Sequence, residues 1–266
     1  MDRADAARRP VPDTPERGPG APERGGHTGG PAGPGAPAGP PVAGDPAALA
    51  RIAAVWAHGW ARSRATPPPR AVLGGYRIEV GRPRHAARYV LPAADPAVLR
   101  ELARTVAPDV WLKICAPRDR VAPLLTGAWR YDEPQYLMTA PLPPSPPDTV
   151  PPPGYRLVTE ECDGILDVRI LVTGRAAADR PAASGRTALT GGTGGAPLSA
   201  VHDLIGTEPE HRRRGLGRLV MAALTAHAVR RGAFEAVLVA GPPGRNLYTA
   251  LGWHLRSPVT AVVREG

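Results

Sequence analysis

Apolar residues recur at helical spacing in three stretches of the chain and form strand-like runs through much of the rest. Asp45-Pro46 supplies a helix N-cap and a first-turn proline, and Leu49, Ile52, Val55, Trp56 and Trp60 follow on one broad face until Thr66-Pro67-Pro68-Pro69 stops the run. Strands are expected at 76–80 and 88–91. A second capped helix is expected from Asp95-Pro96 through Val98, Leu99, Leu102 and Val106. Trp111 to Cys115 reads as a buried strand, Arg118 to Leu125 as a short helix and Tyr136 to Thr139 as a closing strand. The alternation predicts an α/β domain over 46–140.

The proline-rich segment 141–154 should be extended and semi-rigid, and marks a domain boundary. Beyond it, 155–158 and 165–172 read as strands, 173–181 as turns and 183–189 as a strand. A glycine-rich loop ends near Pro197, and a strand follows at 201–207. From Gly215 a long helix carries Leu216, Leu219, Val220, Ala223, Leu224 and Val229 on one face and ends at Gly232. A strand at 234–240, a short helix at 244–250 and a strand at 259–263 complete the chain. Residues 1–45, rich in Pro, Gly, Ala and charge, bury too little apolar surface to offset the entropy of ordering and are expected to be disordered. The order strand, short helix, tryptophan, strand occurs twice, at Trp111 to Tyr136 and at Val237 to Val259, which leaves an internal duplication open.

The formal net charge of +9 invites a nucleic-acid partner, but Lys113 is the only lysine and the composition is biased toward Arg, Ala, Gly and Pro. The arginine cluster at 212–214 also lacks adjacent aromatics for base stacking, so no nucleic-acid partner is expected. Cys115 and Cys162 are the two cysteines, far apart and without metal-ligand spacing, which suggests neither disulfide nor metal. No apolar run approaches membrane-spanning length, and the expectation is a cytoplasmic protein with no membrane partner.

Candidate chemistry concentrates at Arg212-Arg213-Arg214-Gly215-Leu216-Gly217-Arg218, between a segment ending at Pro209 and the long helix. Gly215 and Gly217 leave the backbone open, so successive N–H groups can converge on phosphate oxygens beside the positive end of the helix. Polyphosphate is the expected guest. A dinucleotide fingerprint is disfavoured because Val220 stands at its third glycine, and no Gly-Lys-Ser/Thr makes a P-loop.

Arg212-x-x-Gly215-x-Gly217 after a strand, followed by Leu247-Tyr248-x-x-Leu251-Gly252-Trp253 after the next, resembles the GNAT superfamily of acyl-CoA-dependent N-acetyltransferases over about 155–265. The resemblance implies an α+β fold with a central mixed, largely antiparallel sheet flanked by helices in three layers, here preceded by a second, smaller α/β domain. It implies coenzyme A in a wedge between the strands at 201–207 and 234–240, with its pyrophosphate on Arg212, Arg213, Arg214, Gly215, Leu216, Gly217 and Arg218. The backbone of Ile205, Gly206 and Thr207 would hold the pantetheine and acyl carbonyl.

Tyr248 matches the family's general acid. A base for the attacking amine is left open between Asp203, which strand alternation places with Val201 and Ile205, and His202 on the other face, with Glu208 third. Two departures qualify the resemblance. Gly241-Pro242-Pro243-Gly244 replaces the asparagine and alanine often found there, and 159–164 has no room for the two helices that usually shape the acceptor site. The domain at 46–140 is therefore expected to supply that wall, and whether it is itself a degenerate GNAT-like half without the loop is left open. The expected activity is transfer of acetyl from acetyl-CoA to a primary amine on a small molecule or protein, without a metal; the alternative is a catalytically inert acyl-CoA-binding module.

Overall fold

The computed structural model describes residues 45–174, 180–192 and 197–265. The tail expected to be disordered lies outside them except for Asp45, as do parts of the loops at 173–181 and 190–197.

The Asp45 carboxylate accepts from the Ala47 amide at 2.9 Å and starts α1 (Pro46–Ser63). The strands β1 (Arg70–Val72), β2 (Gly75–Arg82) and β3 (His85–Leu91) follow, and Asp95 then caps α2 (Pro96–Thr105) through the amides of Ala97 and Val98. After these come β4 (Val110–Ile114), α3 (Arg118–Val121), β5 (Trp129–Tyr131) and β6 (Gln135–Pro141). Past the prolines lie β7 (Tyr155–Cys162), β8 (Ile165–Val172), β9 (Ala183–Thr190) and β10 (Ser199–Thr207). The chain closes with α4 (Leu216–Arg230), β11 (Glu235–Ala240), α5 (Pro242–Ala250) and β12 (His254–Arg264).

Several elements differ from the sequence expectation, among them β7, which runs on to Cys162, and α3, which ends at Val121. Strands β1 and β5 are three residues each, too short for a period-two pattern to register. Helix α5 begins at Pro242 because its two prolines occupy the first turn, where a missing N–H breaks no helical bond. Strand β12 begins at His254, ahead of the expected 259. The hairpin β7–β8 turns through Asp163 and Gly164, both at positive φ (50° and 71°), which leaves no room for intervening helices.

The twelve strands among the described residues form one sheet in the order β1-β2-β3-β4-β12-β6-β11-β10-β9-β8-β7, with β5 also on β12. Its centre is an exchange. Strands β5 and β6 run antiparallel to β12 from Trp129↔Arg264 through Gln135↔Val259 to Thr139↔His254. On the outer edges, β6 pairs with β11 and the second part of β12 pairs with β4. Each half of the chain therefore completes its sheet with the last strand of the other: β10-β11-β6 on one side answers β3-β4-β12 on the other.

Strand directions fix which ends meet. β3 and β4 are parallel, β10 and β11 are parallel, and the pairings between them through β12 and β6 are antiparallel. The N-terminal ends of β3, β4 and β6 therefore lie at the same end of the sheet as the C-terminal ends of β10 and β11.

Helix α1 lies on one face and touches β2 and β3 as well as β9, β10 and β11. A helix about 10 Å wide reaches strands so far apart in the order only if the sheet bends around it. Ile52, Ala53, Trp56, Ala57 and Trp60 of α1 pack there on Ile78, Val90, Leu137, Val201, Val237 and Val259. The opposite face is covered by α2 over β3 and β4 and by α4 over β8 and β9.

The contact between α1 and β10 is backbone-close: a Cβ at Gly59 would lie 2.1 Å from Val201 Cγ2. Gly59→Ala gains about 1 kcal/mol of helix propensity but overlaps Val201. The expected net is a destabilisation of about 1–3 kcal/mol, read as a lower urea midpoint and relieved by Val201→Ala. A midpoint raised by Gly59→Ala would contradict this packing.

Candidate active site

Strands β10 and β11 pair over only three positions, Ser199↔Glu235 to Val201↔Val237, although both continue. The corresponding pair in the first half, β3 and β4, stays paired from Ala87↔Val110 to Leu91↔Ile114. A wedge therefore opens between parallel strands only in the second half, beside the glycine loop. Strand β10 also carries a bulge between Asp203 and Gly206, centred on Leu204 at φ 55°. This corrects the expectation that Asp203 and Ile205 share a face. Asp203 turns with Val201 toward α1, whereas Ile205 turns toward α4 and joins Val220 and Leu224 around Gly185.

The loop after β10 is braced from within the protein. Arg212 donates to the Thr207 carbonyl at 3.3 Å, Arg214 donates to the Tyr155 hydroxyl at 3.1 Å, and that hydroxyl sits 3.0 Å from His211 Nδ1. Two of the three consecutive arginines thus have structural partners, while Arg213 and Arg218 are exposed. Gly215 is the left-handed N-cap of α4 at φ 77°, and a Cβ there would meet nothing within 4 Å. The first amides of the helix, at Leu216, Gly217 and Arg218, have no acceptor within it. The Leu216 side chain is fully buried, so only its backbone is available to a ligand. A Cβ at Gly217 would crowd Leu247 Cδ2 at 3.3 Å, which shows how closely α4 and α5 converge here.

Tyr248 is buried on α5, its ring 6.0 Å from that of Trp253. It lies against Gly244, where a Cβ would sit 3.0 Å from Tyr248 Cε2. The Gly-Pro-Pro-Gly departure thus still builds a helix, and its last glycine makes room for the ring. Burial, and then the nearby Asp203 carboxylate, push the phenol above its ordinary range and keep it protonated at neutral pH.

Asp203 is locked to the end of α1. Its carboxylate accepts from Arg64 Nε at 2.6 Å and Nη2 at 3.0 Å, from the Ser63 hydroxyl at 2.8 Å and from the Leu204 amide at 2.9 Å. Burial alone would raise this carboxyl, but those donors outweigh it and hold it below its ordinary range. Removing one partner from such a pair typically costs about 3–5 kcal/mol. Arg186 joins the cluster by donating to the Ser63 carbonyl while pairing with Asp167. Sequence reasoning missed Ser63 and Arg64, and no local signal marks them, because they meet Asp203 across about 140 residues.

His202 points to the other face. Its Nδ1 lies 2.9 Å from Thr187 Oγ1, its Nε2 is buried without a partner, and its ring is 5.7 Å from that of Trp253. Burial, assisted by His227, lowers its pKa to about 3. Glu208 pairs with Arg180 at the edge of the site. Asp203 thus lies near enough to Tyr248 to act on its phenol from the α1 side of β10, whereas His202, on the other side of the strand, shares the Trp253 ring with Tyr248. Because the folded pKa of His202 is depressed, its contribution to stability is complete above about pH 6.5 and is lost as pH falls toward 3. The melting temperature should therefore drop between pH 7.5 and 5.5, and by less in His202→Gln; equal drops would remove His202 from this account.

Residues 197–262, which contain the wedge, the loop and Tyr248, match the family model described as FR47-like protein. No curated protein matches the sequence. Among solved structures, a GCN5-related N-acetyltransferase from Kribbella flavida aligns at 20% identity and TM-score 0.54, covering 82% of this chain and 96% of that one. One from Sphaerobacter thermophilus aligns at 15% identity and TM-score 0.47, covering 72% and 77%. The first similarity spans both halves and carries the fold. Residues 197–262 thus match the FR47-like model, and the chain shares its fold with the GCN5-related N-acetyltransferase from Kribbella flavida.

Proposed function

We propose that the protein is an N-acetyltransferase that moves an acetyl group from acetyl-CoA to a primary amine by direct attack. The observation that carries this reading is the wedge after Val201 and Val237, flanked by the open amides of α4 and by Tyr248. The chain fits the cosubstrate: an uncrowded left-handed glycine and the helix amides make a cradle for pyrophosphate, with Arg213 and Arg218 exposed beside it. The unpaired edge of β10 after Val201 gives the backbone of Ile205, Gly206 and Thr207 to an extended amide-bearing arm. Acetyl-CoA would supply the activated acetyl group.

Tyr248 acts as a hydrogen-bond donor to the departing sulfur. Its phenol, raised by burial, is a weaker acid than a thiol, so complete proton transfer to a thiolate would run uphill, and its contribution is electrostatic support. Asp203 stays ionised and orients; its carboxylate is occupied by Arg64 and Ser63, and its lowered pKa makes it a poor proton acceptor. His202, neutral and enclosed, does not supply the missing base either. The amine enters neutral and its proton leaves through water, so the pH dependence of kcat/KM follows the amine and shows no inflection from His202.

Isothermal titration should show acetyl-CoA binding, and screening of amines by released CoA thiol should show turnover. Binding without turnover would favour the inert module, and absence of binding would overturn both. Tyr248→Phe should lower kcat about ten- to a hundredfold, the worth of one hydrogen bond to a charged group, with little change in acetyl-CoA affinity. Unchanged turnover would reduce Tyr248 to packing.

A further inference from the structure

Strand β10 departs from regular geometry immediately after Asp203. Leu204 stands in the left-handed region at φ 55°, and across the bulge Leu204 and Ile205 together oppose the single residue Gly185 of β9. A left-handed backbone is unfavourable for leucine, because its Cβ is driven toward the carbonyl oxygen that follows.

The bulge decides which backbone groups face the wedge. Ahead of it the Leu198 carbonyl accepts from the Phe234 amide at 3.0 Å, so even-numbered residues address the β11 side. Beyond it the Glu208 amide donates to the Ala182 carbonyl at 2.9 Å, so even-numbered residues address the β9 side and Thr207 addresses the wedge. One extra residue has exchanged the two edges of the strand. Straightening the chain at Leu204 would restore the earlier phase and turn the Thr207 backbone away from the wedge.

The end of α1 holds Leu204 in place. The Leu204 amide donates to Asp203 Oδ1 at 2.9 Å, and the same oxygen accepts from Arg64 Nη2 at 3.0 Å. Asp203 Oδ2 accepts from Arg64 Nε at 2.6 Å and from the Ser63 hydroxyl at 2.8 Å. Both carboxylate oxygens are therefore fixed, and the amide is aimed at a fixed acceptor. The donors are themselves anchored. Arg64 is the C-cap of α1, with its amide on the carbonyls of Trp60 and Arg62. The Ser63 carbonyl accepts from Arg186 of β9 at 2.7 Å, and Arg62 donates to the Asp163 carbonyl at the β7–β8 turn.

We propose that Ser63 and Arg64 are positioning residues for the acyl-CoA site: through Asp203 they keep Leu204 left-handed, and so keep β10 in the phase that presents Thr207 to the wedge. Neither has to touch the ligand. The first half thus controls cosubstrate affinity through the end of one helix, and Asp203 acquires a role that needs no proton transfer. The inference rests on the acetyltransferase reading for the identity of the ligand, whereas the claim about the β10 backbone stands apart from it.

The test uses the full chain. Arg64→Lys keeps a positive charge beside Asp203 but loses the rigid fork that serves both oxygens, and Ser63→Ala removes one hydroxyl. By calorimetry each should weaken acetyl-CoA binding about three- to tenfold, as the binding-competent form of β10 becomes less populated. Adding Leu204→Gly, which adopts the left-handed region without support, should restore most of that loss. In the ligand-free chain, NMR should show a protected Leu204 amide whose exchange quickens about tenfold in both single variants. A clamp that serves stability alone would lower the urea midpoint and leave affinity unmoved, which would overturn the proposal. A loss of affinity that Leu204→Gly does not relieve would also overturn it, as would exchange at Leu204 that neither variant changes. If the native chain binds no acetyl-CoA, the acetyltransferase reading fails, and exchange at Leu204 still decides the claim about the backbone. Should both variants fail to fold, the native chain decides: a protected Leu204 amide supports the clamp, and an unprotected one overturns it.

Discussion

Strand β6 holds the molecule together because both of its edges are occupied by strands from beyond the proline-rich segment, β11 on one side and β12 on the other. The reciprocal arrangement, with the end of β12 between β4 and β5, means that neither half owns a complete set of backbone partners. An unpaired central strand would expose a row of N–H and C=O groups at a cost that no local sequence change could offset. The bend of the sheet, the placement of α1 inside it and the meeting of first-half and second-half residues at one end all depend on this exchange.

Within that frame the two halves differ in one physical respect. β3 and β4 remain paired to Leu91 and Ile114, whereas β10 and β11 separate after Val201 and Val237 and β10 bulges at Leu204. Separation leaves one edge of β10 without a strand partner, and it occurs beside the glycine-capped start of α4. The first half, closed and without such a loop, instead lends α1, whose last turn and C-cap hold Asp203 through Ser63 and Arg64.

Much of this was legible in the chain because it is local. The caps at Asp45 and Asp95, the glycine spacing at 215 and 217 and the Tyr248 segment are patterns within a few residues, and the repeated order of elements around Trp111 and Val237 matches the symmetry of the sheet centre. What was not legible is non-local or stereochemically silent. Leucine carries no signal for the positive φ that Leu204 adopts, so alternation through β10 misplaced Ile205. The Arg64–Asp203 pair joins residues 139 apart, and nothing around either one announces the other. Strand exchange is equally invisible, since period-two patterning states which face is buried but not which strand lies alongside.

The central claim is that the wedge between β10 and β11, with the amides that head α4, binds an acyl-CoA. Amide hydrogen exchange on the full chain, with and without saturating acetyl-CoA, tests it most directly. The account predicts slowed exchange at 205–207 and 214–218, with the paired strands β3 and β4 unaffected. Protection confined to the first half, or no protection in those two segments at saturation, would contradict it.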